Sequence, residues 1–406
     1  MKFSSLLRMA LLLGLLSAIG PFAIDMYLPA LPAIGHSLGA DPGAVQMSLM
    51  AFFVSFALGQ LFYGPASDMW GRKPPLYFGL ALFAVGSVGC ALAPSIGTLV
   101  ALRFVQGLGA GAGAVVPRAI VRDLHTGNEA ARLTGLLMLV FSVSHILAPL
   151  AGSLLSTAVG WRGIFWAVFG TALLGLVLVG TQLQETRSAA QRAGSSARSA
   201  LAGYALLLRD GRFMGLTFIG GFGIASFFTY LSNSSFVLIG HYGLTPLQYS
   251  LVFAVNAVSF IGGSQLTARL GRRWGLLRVV RVAVAGYALA MVLLCALFLS
   301  GAEGLLPMAV LLFVGYGFLG LVMPATAVLA MDAHGAIAGT AAALMGTLQL
   351  IAGALAMAAV APFVDGTARP MLVAIAVCAL VAWVLTGLTL GWRGAAARAV
   401  AQECAP

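Results

Sequence analysis

Two ionisable side chains sit where an apolar chain tolerates them least. Asp25 stands inside "AIGPFAIDMYLPALP", residues 18–32, and Arg103 inside "TLVALRFVQG", residues 98–107. An ion at the bilayer midplane costs about 2.5–3.5 kcal/mol on insertion scales, so such groups turn toward an internal cavity and act there. At 1.5 Å per residue, Arg103 lies about 9 Å inside one end of its apolar run, and Asp25 a few residues inside the same end of its own. Their depths suit one shared cavity. Burial disfavours a charged carboxylate and a nearby cation favours it, so together they could hold Asp25 where it takes up and gives back a proton. The alternative is an Asp25–Arg103 pair that only fixes helix packing.

A second stretch with chemistry is "GPASDMWGRK", residues 64–73. It reads as a tight turn. Gly64 and Gly71 permit close backbone approach, Asp68 pairs with Arg72 at i, i+4 if the turn is helical, and Arg72 with Lys73 anchors a basic face. Topology alone accounts for the cations but not for Asp68. Elsewhere Pro149 and Gly152 bend and thin a run, leaving the carbonyl of His145 without its helical donor. Pro29 and Pro21 do the same to Asp25 and Ser17, and freed carbonyls inside a membrane line cavities; a helix that ends at Pro29 is the other reading. An unperturbed imidazole titrates near neutral pH, and we read His145 as a neutral, hydrogen-bonded ring ahead of a proton relay. Phe22, Tyr27, Phe141, Tyr230, Asn233, Asn256 and Gln349 are candidate contacts for an amphipathic small molecule. Gln106, one turn from Arg103, suits either substrate or a helix-to-helix hydrogen bond.

Other chemistries are excluded. "GLGAGAG" at 107–113 and "GYGFLG" at 315–320 imitate dinucleotide loops, but such a loop follows a strand; in apolar runs these glycines let helices approach closely. The lysines are Lys2 and Lys73, and neither closes a phosphate-binding loop. His36, His125, His145, His241 and His334 are scattered, and Cys90, Cys295, Cys378 and Cys404 show no CxxC spacing, so neither a metal site, a disulfide framework nor an enzyme is expected. No cofactor is expected either. An ion gradient must supply the energy.

The elements that position these residues are membrane spans. With 61% hydrophobic and 8% charged residues, the chain is far from globular composition. Apolar runs of about 20 residues recur, long enough to cross the hydrocarbon as helices. Twelve are expected, near 7–28, 44–66, 76–93, 97–117, 133–156, 163–183, 212–236, 247–267, 277–299, 305–329, 338–360 and 371–392. The net charge of +11 would suggest nucleic acid in a water-soluble chain. Here its placement matters more: with the N-terminus in the cytoplasm, 19 of the 22 basic residues fall on the inner side, Arg162 and Arg369 fall outside, and Arg103 lies within a span. Both termini are then cytoplasmic. The first 23 residues imitate a secretory signal, but further spans follow at once, and an uncleaved first helix is expected.

The Arg- and Ser-rich stretch over 184–211 reads as a cytoplasmic linker between a six-helix bundle over 1–183 and another over 212–392, with a tail over 393–406. The two halves echo each other. "GPASDMWGRK" is matched by "SQLTARLGRR" 200 residues later, and "QMSL" at 46–49 by "QYSL" at 248–251. Repeats of this kind belong to two-fold transporters, whose site lies between the halves.

"IDMYLPALP", "GPASDMWGRKPPL", "RFVQGLGAGAGA", "APLAG", "WRGIF" and "GTAAALMGTLQ" together resemble the major facilitator superfamily, and within it the bicyclomycin/chloramphenicol-resistance (Bcr/CflA-type) drug:proton antiporters. The resemblance covers essentially the whole chain. It implies an all-α fold of two pseudo-symmetric six-helix bundles and proton-coupled efflux of small drug-like molecules across the bacterial inner membrane by a monomer. It also implies proton coupling by Asp25 and Arg103, a conformational latch at Gly64, Asp68, Gly71, Arg72 and Lys73, and a bend at Pro149 and Gly152 that seals the seam between halves. Ser144, Ala148 and Ser153 depart from that family's glycines, and Ala268 stands where the repeat would place a second acid. An exporter or proton symporter of one small metabolite on the same fold is the alternative.

Overall fold

The computed structural model describes residues 3–125, 127–188, 192 and 197–391. The expected tail over 393–406 lies outside the described residues, as do 189–191 and 193–196 of the linker. Twelve helices are long and apolar enough to cross a membrane, and no strand occurs among the described residues. The first half contains α1 (Phe3–Asp25), a short α2 (Leu31–Leu38), α3 (Pro42–Trp70), α4 (Lys73–Leu92), α5 (Ile96–Leu124), α6 (Gly127–Val159) and α7 (Trp161–Thr181). A connecting helix, α8 (Ala197–Arg209), leads to α9 (Gly211–Ser235), α10 (Pro246–Trp274), α11 (Leu276–Leu299), α12 (Leu305–Met331), α13 (Ala338–Val360) and α14 (Arg369–Leu390).

Local chemistry sets several of these ends. Asp41 caps α3 by accepting from Ala44 N, with Pro42 at the first position, where the missing N–H costs nothing. Thr245 and Gln248 form a reciprocal capping box on α10, again followed by a proline. Both helices stop at a Trp-Gly step, where Gly71 (φ +95°) and Gly275 (φ +79°) take a backbone conformation that favours glycine. Prolines at expected boundaries do not end helices here. Pro65 and Pro117 lie inside α3 and α5, which run on to Trp70 and Leu124, since a membrane helix can absorb a lost hydrogen bond through its neighbours.

The two capped helices also correct the repeat. α3 and α10 are each 29 residues long and start at Pro42 and Pro246, 204 residues apart rather than 200. In this register Gly275 corresponds to Gly71, and Leu276 and Leu277 to Arg72 and Lys73. The "GRR" at 271–273 falls within α10, where Arg272 and Arg273 in the last turn face the negative end of the helix dipole.

Packing repeats in the same register. In the first bundle α5 packs on α3 and α4, α1 on α6, and α4 on α7; in the second α12 packs on α10 and α11, α9 on α13, and α11 on α14. The bundles meet along α3 with α13 and along α6 with α10. Small residues allow the tight crossings. A Cβ on Gly107 would lie 2.3 Å from Phe52 O and one on Gly109 2.4 Å from Phe83 N, while one on Gly320 would lie 2.1 Å from Phe260 O. Both glycine-rich stretches thus serve helix approach.

Candidate functional site

α1 stops at Asp25. Pro29 has no N–H to offer the Asp25 carbonyl, and the chain tightens instead, with Met26 N on Phe22 O, Tyr27 N on Ile24 O and a 3-10 turn over Leu28–Ala30. The break therefore falls four residues before Pro29, at the acid itself. Asp25 is 4% exposed. Its Oδ2 approaches His145 Nδ1 to 2.8 Å, from α6.

Asp25 and Arg103 form no ion pair, which corrects the structural alternative read from the sequence. Arg103 is fully buried and donates from Nη1 to Ala23 O (3.1 Å) and to Gln106 Oε1 (2.7 Å). Its guanidinium carbon lies 4.5 Å from the Tyr27 ring centroid and 4.3 Å from that of Phe52. Ring faces and carbonyl oxygens compensate the cation where a carboxylate was expected. Gln106 in turn donates to Ser87 Oγ (2.8 Å), and Tyr27 OH meets Ser48 Oγ (2.7 Å). Asp25 and Arg103 thus lie on the two sides of one turn, the acid toward α6 and the cation toward α5 and α3.

α6 is held from two sides. A Cβ on Gly152 would lie 2.1 Å from Met26 O, so this glycine lets α6 rest on the backbone beside Asp25. Pro149 O accepts a 2.9 Å hydrogen bond from Ser250 Oγ, on α10 of the other bundle.

Of the other candidate residues, Tyr230, Asn233, Asn256 and Gln349 are buried among protein partners. Asn256 donates to Tyr230 OH (3.0 Å), Gln46 to Asn233 Oδ1 (2.9 Å) and Gln349 to Thr217 O (3.4 Å). Phe22 is half-buried against the core, and the side chain of Phe141 lies outside the described residues. A cavity of about 620 Å³ opens elsewhere, between the α2 end of the first bundle and Phe236, His241 and Asp365–Thr367 of the second, and none of the candidate substrate residues lines it.

At the opposite end, residues 64–70 complete α3, and only Gly71 and Arg72 form the turn. Gly64 has ordinary room, its nearest neighbour to a Cβ being Val115 at 3.9 Å, so close approach belongs to Gly71 alone. Arg72 bonds Asp68 (2.8 Å), Ser67 Oγ (2.8 Å) and both carboxylate oxygens of Asp123 at the end of α5 (2.7 and 3.0 Å). Arg187 reaches Asp68 (3.1 Å). Glu185, beyond α7, accepts from the N–H groups of Arg72 (2.8 Å) and Lys73 (3.1 Å), and Lys73 Nζ donates to Leu183 O (2.8 Å). Burial opposes the Arg72 charge, but the Asp123 and Asp68 carboxylates outweigh it and hold its pKa above the ordinary arginine value. The cluster ties α3, α4, α5 and the chain after α7 together.

Sequence reading missed Asp123, Glu185 and the pairing of His145. A signal existed for the first two: the chain has 11 acids, and these fall beside the basic turns, where charge pairing is the economical explanation. Nothing local pointed His145 at Asp25. Among the described residues, no group of three metal-ligating side chains comes together.

Residues 13–357 match the Major Facilitator Superfamily. The chain belongs to that superfamily. This membrane transporter is 38% identical over 370 residues to "Uncharacterized MFS-type transporter YdgK" of Bacillus subtilis, covering 90% of the chain and 91% of the relative. It is 31% identical over 389 residues to the "Bicyclomycin resistance protein homolog" of Haemophilus influenzae, covering 95% and 97%. Its fold is similar to that of the nucleoside transporter NupG, with a TM-score of 0.75 at 14% identity over 95% of the chain and 100% of that structure. The transporter is thus a multi-pass membrane protein of two pseudo-symmetric six-helix bundles.

Proposed function

We propose that this transporter is a proton-coupled exporter of small drug-like molecules, of the bicyclomycin or chloramphenicol type, across the bacterial inner membrane, working as a monomer with both termini in the cytoplasm and without a cofactor. The observation that carries the reading is the buried Asp25 at the break of α1, in contact with His145 beside the seam between bundles. The name of the Haemophilus relative supports the substrate class, and the distribution of basic residues supports the orientation.

In this reading Asp25 takes a proton from outside. Neutralising it weakens the contact with His145 and loosens α1 from α6, so the bundles rock and substrate leaves. Arg103 biases the step through its fixed charge behind the same turn. The Arg72 cluster holds the first bundle's inner face as a latch, and Pro149 with Gly152 keeps α6 seated on both neighbours. One charge moved across the membrane is worth about 2.3 kcal/mol per 100 mV, enough for a useful concentration ratio.

The test is energised accumulation of labelled chloramphenicol in an efflux-deficient bacterium expressing wild type or Asp25→Asn, with and without a protonophore. Wild type lowers accumulation only while the gradient stands, and Asp25→Asn at equal expression does not. Efflux and protonophore sensitivity left intact by the substitution would sink Asp25 as the coupling group; higher accumulation with wild type would mean import.

A further inference from the structure

We propose that His145 is the relay through which the coupling proton reaches and leaves Asp25, a reading that rests on the proton coupling proposed above. The two side chains differ in access. The Asp25 side chain is 5% exposed and that of His145 30%, with Nδ1 and Oδ2 2.8 Å apart. The imidazole is thus the less enclosed member of the pair.

The position of His145 on α6 ties the relay to bundle movement. Pro149, four residues on, has no N–H for the His145 carbonyl, which weakens the helical turn that carries the ring. The same stretch rests on the Met26 backbone through Gly152 and is bonded to Ser250 of α10 through Pro149 O. His145 therefore rides on an element gripped by both bundles, and a shift at the seam changes its distance to Asp25 and the side to which its edge opens. The other ionisable groups around Asp25 are Tyr27 in the same turn, Arg103 on α5 and Tyr249 on α10, next to Ser250. Tyr27 and Tyr249 bond Ser48 and Ser234, and Arg103 is turned onto rings and carbonyls. Of these neighbours, His145 has the imidazole chemistry to pass a proton near neutral pH.

The transfer balances. Water on the open side gives a proton to Nε2, and the Nδ1 proton passes to Oδ2, leaving a neutral ring beside a neutral acid. Release runs in reverse through the same ring after the bundles have moved, which restores the starting tautomer. One proton enters and one leaves per cycle.

The test is titration of Asp25 in the purified full-length transporter by infrared difference spectroscopy, using the carboxyl band that Asp25→Asn removes, in wild type and His145→Gln. Glutamine keeps a hydrogen-bonding amide at the site but carries no titrating proton. A relay predicts that after a pH jump the carboxyl band grows in more slowly by about tenfold or more in His145→Gln; an unchanged rate overturns the proposal, because a histidine that only holds Asp25 in place does not carry its proton. If His145→Gln does not fold, histidine-labelled protein decides by nitrogen NMR: one of the five imidazoles must change its titration in Asp25→Asn, and no change overturns the proposal. Ethidium and chloramphenicol export from proteoliposomes is read separately. Slowed uptake at Asp25 with neither compound moved supports the proton pair and removes the drug-export reading instead.

Discussion

Gln46 Nε2 donates to Asn233 Oδ1 over 2.9 Å, joining α3 of the first bundle to α9 of the second. Both side chains are buried, at 1% and 3% exposure. Asn233 is oriented by its own helix, its Nδ2 on Thr229 O and Ser232 Oγ. Deeper along the same seam Phe53 and Phe228 stack with centroids 3.8 Å apart. At this end of the transporter the bundles are thus joined by an amide-to-amide hydrogen bond over an aromatic stack.

Gln46→Ala or Asn233→Ala strands a buried amide and costs the closed arrangement about 1–3 kcal/mol. Spin labels at Met47→Cys and His241→Cys, in a cysteine-free background, should show a larger population of long distances in either variant. The double variant should cost less than the sum, since neither partner is left unpaired. An unchanged distance distribution would mean that the bond does not hold the seam.

Three glycines should separate cleanly in thermal unfolding of the detergent-purified protein. Gly152→Ala places a methyl 2.1 Å from Met26 O and should destabilise by about 1–3 kcal/mol through overpacking. Gly71→Ala meets both φ +95° and Glu185 Oε2 at 2.6 Å and should cost about 1 kcal/mol or more. Gly64→Ala, with 3.9 Å to its nearest neighbour, should be neutral or gain up to about 1 kcal/mol from helix preference. Equal losses at all three would contradict the assignment of close approach to Gly71 rather than Gly64.

Acid should loosen the Arg72 cluster through Glu185. Burial pushes this carboxyl up, but the N–H groups of Arg72, Lys73, Arg187 and Thr186 outweigh it and hold it below the ordinary glutamate value of 4.5. A depressed folded value stabilises the fold above the unfolded one, and that contribution disappears as pH falls through the folded value. Melting temperatures of wild type and Glu185→Gln, taken from pH 7 to pH 3, should therefore differ most at the upper end and converge in acid. A gap constant with pH would remove the carboxylate charge as its cause.

Much of the site was legible in the amino-acid sequence. Asp25 and Arg103 stand out because hydrocarbon penalises charge at any rotation of the helix. The Asp68–Arg72 bond followed from helical spacing alone. The repeat register was not legible from its "GR" echo, a local string, because capping prolines and the Trp-Gly stops set the helix ends four residues away. Asp123 and Glu185 were visible as scarce acids but not as partners of one arginine. They lie 51 and 113 residues from it along the chain.

By itself, then, the sequence determined twelve apolar helices and which charged side chains stand out within them, since hydropathy and Born cost act within a few residues. Only the tertiary structure decided that Asp25 meets His145, that Arg103 rests on Tyr27 and Phe52, and that Ser250 reaches Pro149 across the seam. Those contacts depend on how each helix is rotated and how closely its glycines let a neighbour approach, quantities set by packing of the whole bundle and written in no single stretch of chain.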